Sequence, residues 1–416
     1  MKRISQWSLA VLAAVGVARG AGDFAIRDGD TVVFLGDSIT AARTYGKIIE
    51  NYTVLRFPQR RVAFFNAGKG GDTARGCLDR LDRDVFRRGA TLVTVAVGIN
   101  DIGWGMKADA QHKRQYLDGI RGIIEQCQRR KVRVFICSAP PGHESNPDEG
   151  ERGFLQKMCD EALAVARAMG AGAIDVQREM RKIQRRVLEA NKQEPPDRKT
   201  SLYAADGVHL SDLGRMAMAF AILKGLGAPA EVSWVTLDAT GPALIEARGC
   251  HVSGLKREGE ALVFDRLDEG LPINFGFLAA FSYRFVPFPD ELARYGLTVK
   301  NLPPGQYEIL ASNRLVGRFS AEQFAAGLNI TSATPDAWQP GGPWDAQWAV
   351  LSPLTEARDQ LAQSELRAKT FLPQHPRLTH WCAEAAVINQ QLETLQRHVA
   401  APVPYRFILR PTQPAK

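Results

Sequence analysis

Three side chains that lie far apart in this sequence could together attack an acyl carbon: Ser38, Asp206 and His209. A serine hydroxyl needs a base before it becomes a useful nucleophile. A histidine can take the proton near neutral pH, and a carboxylate can fix its tautomer and steady the imidazolium. The serine stands in Gly36-Asp37-Ser38, directly after the apolar run Thr31-Val32-Val33-Phe34-Leu35. The other two stand in Asp206-Gly207-Val208-His209. Attack on an ester also builds an oxyanion, which requires pre-aimed donors. The stretches Asn66-Ala67-Gly68-Lys69-Gly70-Gly71-Asp72 and Gly98-Ile99-Asn100-Asp101 can supply them. The donors would be the backbone N–H groups of Ser38 and Gly71 and the side-chain NH2 of Asn100. Taken singly, each stretch is ordinary. Gly-Asp-Ser turns are common, Asp-x-x-His is often a helix cap, and a glycine-rich turn can be a phosphate nest.

The elements between these stretches give them their meaning. Apolar runs at 31–35, 62–66, 91–97, 132–138 and 173–176 read as strands, several of them β-branched and nearly continuous. Such runs suit strands covered on both faces. Helical patterns fall near 41–56, 74–87, 111–130, 152–169, 177–191 and 212–225. This alternation predicts a parallel sheet with helices on both sides. A strand order of 2-1-3-4-5 puts the second and third strands on either side of the first. Gly71 and Asn100 then flank Ser38 at the carboxyl edge, where ligands of open α/β sheets bind.

Together the four stretches resemble the SGNH hydrolases of the GDSL esterase/lipase superfamily, over residues 28–226. The nucleophile block is Phe34-Leu35-Gly36-Asp37-Ser38-Ile39-Thr40, the glycine block Asn66 to Thr73, the asparagine block Gly98 to Asp101 and the last block Asp206 to Leu210. The resemblance implies a flavodoxin-like three-layer α/β/α fold around a five-stranded parallel sheet. It also implies metal-free ester hydrolysis without a cofactor. Ser38 would attack, His209 would act as general base and then acid, and Asp206 would orient His209. Ser38, Gly71 and Asn100 would form the oxyanion hole. The Gly-x-Ser-x-Gly elbow of ordinary α/β-hydrolases is absent.

Trp104, between Gly103 and Gly105, reads as loop packing or as a sugar-stacking platform. His143 follows the fourth strand and is a candidate substrate contact. Asp37 and Asp101 read as residues that hold their turns.

The 416-residue chain carries a net charge of +8, with 45% hydrophobic and 24% charged residues, values ordinary for a soluble protein of more than one domain. Arg178, Arg181, Lys182, Arg185 and Arg186 share one side of a helical pattern and read as a solvated face. No zinc-finger spacing or aromatic–basic RNA motif is present, which argues against a nucleic-acid partner. Lys2 and Arg3, the apolar stretch Trp7–Val17 and Ala18-Arg19-Gly20 read as an export signal over residues 1–20, implying a periplasmic or secreted protein. No later stretch is long enough to span a membrane. Six cysteines show no CxxC or metal-site spacing, and Cys137 reads as apolar filler in a strand.

The hydrolase-like region is expected over 23–228, a β-rich accessory region over 229–332, and a linker with a helical region over 333–416. Leu354, Leu361, Leu366, Ile388, Leu392 and Leu395 are expected core positions of the last. The function expected is an exported serine esterase that works through an acyl-enzyme and removes acetyl groups from a carbohydrate. Its substrate would be an acetylated glycan or an acylated small molecule. The alternatives are an acylhydrolase or thioesterase for longer chains, an acetyl transferase, and a glycan-binding protein with a vestigial core.

Overall fold

The computed structural model describes residues 24–144, 146–335 and 341–412. The proposed export signal at 1–20 lies outside them, as does the middle of the expected linker, 336–340.

The first half is a five-stranded parallel sheet in the order β2-β1-β3-β4-β5. Its strands are β1 (Thr31–Gly36), β2 (Ala63–Gly68), β3 (Leu92–Ala96), β4 (Arg133–Cys137) and β5 (Gly172–Ile174). The parallel sheet is the one expected from the alternating pattern, and its order is the one that sets β2 and β3 on either side of β1. Successive side chains of β1 enter opposite cores. Val32 and Phe34 pack with Tyr45, Ile49 and the helix Asp212–Gly225, whereas Val33 and Leu35 pack with Ala74, Ile120 and Ile124. A strand buried on both faces must be apolar throughout.

Beyond Ala228 the chain forms two more sheets. One has the order β13-β10-β6-β7, from β6 (Glu231–Asp238), β7 (Ala243–Arg248), β10 (Arg294–Lys300) and β13 (Leu328–Asn329). The other has the order β12-β11-β14-β9-β8, from β8 (Cys250–Glu258), β9 (Ala261–Asp268), β11 (Gln306–Ala311), β12 (Arg314–Ser320) and β14 (Tyr405–Pro411). Between them Arg266 is fully buried, held by Asp268 at 2.9 Å, Ser233 at 2.7 Å and the Gly296 carbonyl at 3.0 Å. A strand from residues 405–411 lies between β9 and β11, so this sheet spans both sides of the boundary at 332. One core also runs from Phe34 and Met216 through Leu237 and Tyr295 to Trp344 and Phe407. The C-terminal half therefore packs onto the first half rather than hanging from a linker. Leu271 N–H donates to the Leu55 carbonyl at 2.8 Å, and Tyr52 Oη–H to the Pro229 carbonyl at 3.0 Å.

Helices Pro343–Phe371 and Leu378–Ala400 form a hairpin against α2 (Thr44–Arg56). Its expected core leucines are not buried. Leu366, Ile388 and Leu395 are exposed and Leu354, Leu361 and Leu392 half-buried. The buried positions are Trp344, Asp345, Leu351, Thr355, Asp359, Gln396 and Ala400 instead. The reason is that α2 offers polar partners. Thr355 bonds Asn51, Arg358 pairs with Glu50 at 2.7 Å, and Asp359 pairs with Arg43.

The basic stripe also departs from expectation. Arg181 is buried, bidentate to Glu144 at 2.8 and 3.0 Å, and Arg178 clasps Asp160 and Asp175, each at 2.6 Å. Arg178, Arg181 and Arg185 pin the segment after β4 to their own helix, whereas Lys182 and Arg186 face solvent as expected. All six cysteines are unpaired, and Cys137 is buried within β4. Among the described residues no helix is long and apolar enough to cross a membrane.

Candidate active site

Ser38 opens the short helix α1 (Ser38–Ala41), which leaves its N–H among the donors a helix start cannot satisfy internally. Asp37 caps this helix, its Oδ1 accepting from Ile39 N–H at 2.9 Å. The tight exit from β1 depends on Gly36. A Cβ there would lie 2.1 Å from Thr40 Oγ1 and 2.6 Å from the Ala96 carbonyl. Burial raises the Asp37 carboxyl to about 6.

The loop 204–209 brings Asp206 and His209 to this edge. Asp206 Oδ1 accepts from the N–H groups of Val208 and His209, each at 2.9 Å, which folds the loop around its own carboxylate. The other oxygen, Oδ2, meets His209 Nδ1 at 2.5 Å. The three hydrogen bonds, led by the one from His209, pull the Asp206 carboxyl down to about 2. A carboxylate only accepts, so the proton sits on Nδ1 and Nε2 is left to accept. Ser38 Oγ lies 2.9 Å from that Nε2. The structure thus brings together three residues separated by up to 171 positions.

Gly71 and Asn100 come from the loops after β2 and β3, the two strands that flank β1. Gly71 has φ +72°, a conformation that disfavours any side chain, and no atom lies within 4 Å of where its Cβ would be. Asn100 Nδ2 donates to the Asp72 carbonyl at 3.0 Å. A carboxamide nitrogen carries two hydrogens, so one remains for a substrate oxygen. Asp101 Oδ1 accepts from Ala74 N–H at 2.9 Å, tying this loop to the start of α3 (Ala74–Asp79), and burial raises its carboxyl to about 7.

Trp104 and His143 also reach this edge. The Trp104 ring stands edge-on to His209 with centroids 5.8 Å apart, and its Nε1–H donates to Asn100 Oδ1 at 2.9 Å. His143 arrives through its backbone, donating N–H to the Gly207 carbonyl at 2.6 Å, with its ring against Tyr203.

Sequence reasoning missed two supports. Arg80 is buried and binds Asp72 at 2.6 Å, Asp84 at 2.9 Å, and the carbonyls of Ala67 at 2.7 Å and Gly36 at 3.0 Å. It thereby clamps the carboxyl ends of β1 and β2. Asn66 donates to the Thr40 carbonyl at 2.7 Å and accepts from Gly68 N–H at 2.9 Å, joining α1 to the glycine loop. Asn66 stood inside a block that could have been queried for it; nothing marked Arg80 among many arginines. Among the described residues no group of three His, Cys, Asp or Glu side chains is placed to hold a metal ion.

Residues 34–217 match the model of the GDSL-like lipase/acylhydrolase family. No curated protein matches the chain. A solved structure described as a gut microbial diltiazem-metabolizing enzyme is similar at 23% identity and TM-score 0.77, covering 93% of this chain and 98% of that one. That likeness shows the fold, C-terminal half included. An α/β hydrolase from the metagenome of Lake Arreo, Spain, is 22% identical over 49% of this chain and 98% of its own, with TM-score 0.41. A variant of Axe2, an acetyl xylan esterase from Geobacillus stearothermophilus, is 21% identical over 49% of this chain and 97% of its own, again with TM-score 0.41.

Proposed function

Since residues 34–217 belong to the GDSL-like lipase/acylhydrolase family, the protein is a serine-type carboxylic ester hydrolase, and we propose that Ser38 is its nucleophile and that it removes acetyl groups from a hydroxyl-rich substrate such as a glycan. The observation that carries this reading is the unbroken relay Asp206–His209–Ser38, with links of 2.5 and 2.9 Å. Ser38 Oγ attacks the acyl carbon while its proton passes to His209 Nε2. The N–H groups of Ser38 and Gly71 and the free amide hydrogen of Asn100 receive the oxyanion. His209 then protonates the departing alcohol, and water, deprotonated by the same nitrogen, releases the acid.

The substrate class rests on how open the site is. The His209 and Asp206 side chains are 36% and 40% exposed. A bulky hydrated alcohol can therefore reach Ser38 without crossing an apolar tunnel. The indole beside His209 offers a surface on which a sugar can stack. A second reading, a longer or more apolar acyl group, is favoured by Met106, which is almost wholly exposed two residues beyond Trp104 in the same turn.

Export belongs to the same proposal. Cleavage after Gly20 would spare Phe24, Ala25 and Ile26, which are buried in the fold.

The test compares p-nitrophenyl acetate turnover by the purified protein and by Ser38→Ala. Turnover is expected to vanish in the variant, and equal rates would sink the assignment of Ser38. A series of longer p-nitrophenyl esters, with acetate release from acetylated glycans, separates the two substrate readings. A maximum at acetyl supports the first and a rate rising with chain length the second.

A further inference from the structure

We propose that Trp104 is a positioning residue of the oxyanion hole: its indole N–H dictates which way the Asn100 carboxamide faces. The proposal rests on the reading of Asn100 as an oxyanion donor.

A carboxamide has nearly the same shape when flipped, yet the flip exchanges a donor for an acceptor. Turned the wrong way, Asn100 would point its carbonyl oxygen at the developing negative charge. Two neighbours prevent this. Trp104 Nε1–H can only donate, and it meets Asn100 Oδ1 at 2.9 Å. The Asp72 carbonyl can only accept, and it meets Nδ2 at 3.0 Å. Each fixes the same orientation from a different side.

The backbone shows independently that this contact is built. Trp104 has φ +57° and ψ +31°, a left-handed conformation that a bulky aromatic residue rarely adopts. Such outliers gather at functional sites. Gly103 at φ +51° and Gly105 at φ +97° flank it. Gly103 N–H closes onto the Asn100 carbonyl at 3.0 Å and Trp104 N–H onto the Ile99 carbonyl at 2.9 Å. The turn therefore folds the indole back over the residue from which the turn starts. Packing alone does not account for the ring, which is 46% exposed. Its edge-on contact with His209 places it against the base as well.

The test is a double-mutant cycle on p-nitrophenyl acetate turnover. Trp104→Phe keeps a ring and removes the donor. It is expected to lower kcat about tenfold, the worth of one hydrogen bond, with KM unchanged. Asn100→Ala is expected to lower kcat by about 10²–10³. The double variant should be no slower than Asn100→Ala alone, because the indole acts through the amide. Affinity for phenylboronic acid, which adds to Ser38 Oγ and mimics the tetrahedral state, should fall in Trp104→Phe by the same factor as kcat. Trp104→His, which restores a ring N–H, should recover part of both.

Losses that multiply in the double variant would overturn the proposal. So would a Trp104→Phe protein with the wild-type kcat and boronate affinity. Wild-type turnover by Ser38→Ala would instead bring down the reading of the site on which the proposal stands.

Discussion

At Asp206 one carboxylate does two jobs: it caps its own loop through Val208 and His209 and holds the His209 ring. The three-residue spacing makes both possible, which is why Asp206 and His209 were legible as a pair in the sequence. With its carboxyl drawn down to about 2, Asp206 stays charged in mildly acidic solution. Asp206→Asn would replace that charge by a neutral amide and present a donor where His209 needs an acceptor. We expect kcat on p-nitrophenyl acetate to fall by about 10³–10⁴ with little change in KM. A loss smaller than about tenfold would remove Asp206 from the relay. Gly71 was legible for a similar reason, since a glycine-rich loop after a strand signals close backbone approach. Trp104 was not. Its two readings, packing or sugar platform, both assumed that the ring mattered, and neither considered the N–H.

The strands of the first half announced themselves through apolar runs with helices between them, and right-handed crossovers limited their topology without singling out the order 2-1-3-4-5. What ties their ends together was invisible. Arg80 joins β1, β2 and the glycine loop through Gly36, Ala67 and Asp72, which stand 44, 13 and 8 positions before it. Removing one member of a buried pair leaves the other uncompensated. Arg80→Met should therefore cost about 3–5 kcal/mol in urea unfolding. A cost below about 1 kcal/mol would mean that Asp72 is served by other donors. The helical hairpin was misread because hydrophobic periodicity was taken to mark its buried side. Its contact with α2 is made largely by Thr355, Arg358 and Asp359, so polar groups take much of the buried face and the six expected core positions are left half-buried or exposed. Arg181 was misread in the same way: charge suggested solvent, whereas Glu144 and Gln156 bury it.

Among the described residues, burial raises the carboxyls of Asp37 to about 6 and of Asp101 and Asp345 to about 7, and lifts that of Glu50 as well. Each binds its proton more tightly in the folded state than in the unfolded one. Stability should thus fall as pH rises from about 4 to about 7 and level off above. Asp206 acts in the opposite sense, and its contribution is lost only as pH falls toward about 2. Asp345 lies in the C-terminal half, where Oδ1 accepts from Asn274 and Oδ2 from Gly341 N–H. Asp345→Asn should narrow the gap in Tm between pH 5 and pH 8; an unchanged gap would show that its ionisation is not coupled to folding. Little of this half was legible. A β-rich character over 229–332 was expected, but pairing between β9 and β14 joins residues some 140 positions apart, and no local pattern records it.

That pairing has a consequence in time. The last described strand to leave the ribosome, β14, is the middle strand of its sheet. Until it is made, β9 and β11 each keep a row of backbone groups without a partner, the kind of open edge that invites pairing with another chain. The C-terminal half can complete its fold only after synthesis has reached residue 411, so its assembly waits for β14 while the sheet around Ser38, finished by residue 174, does not.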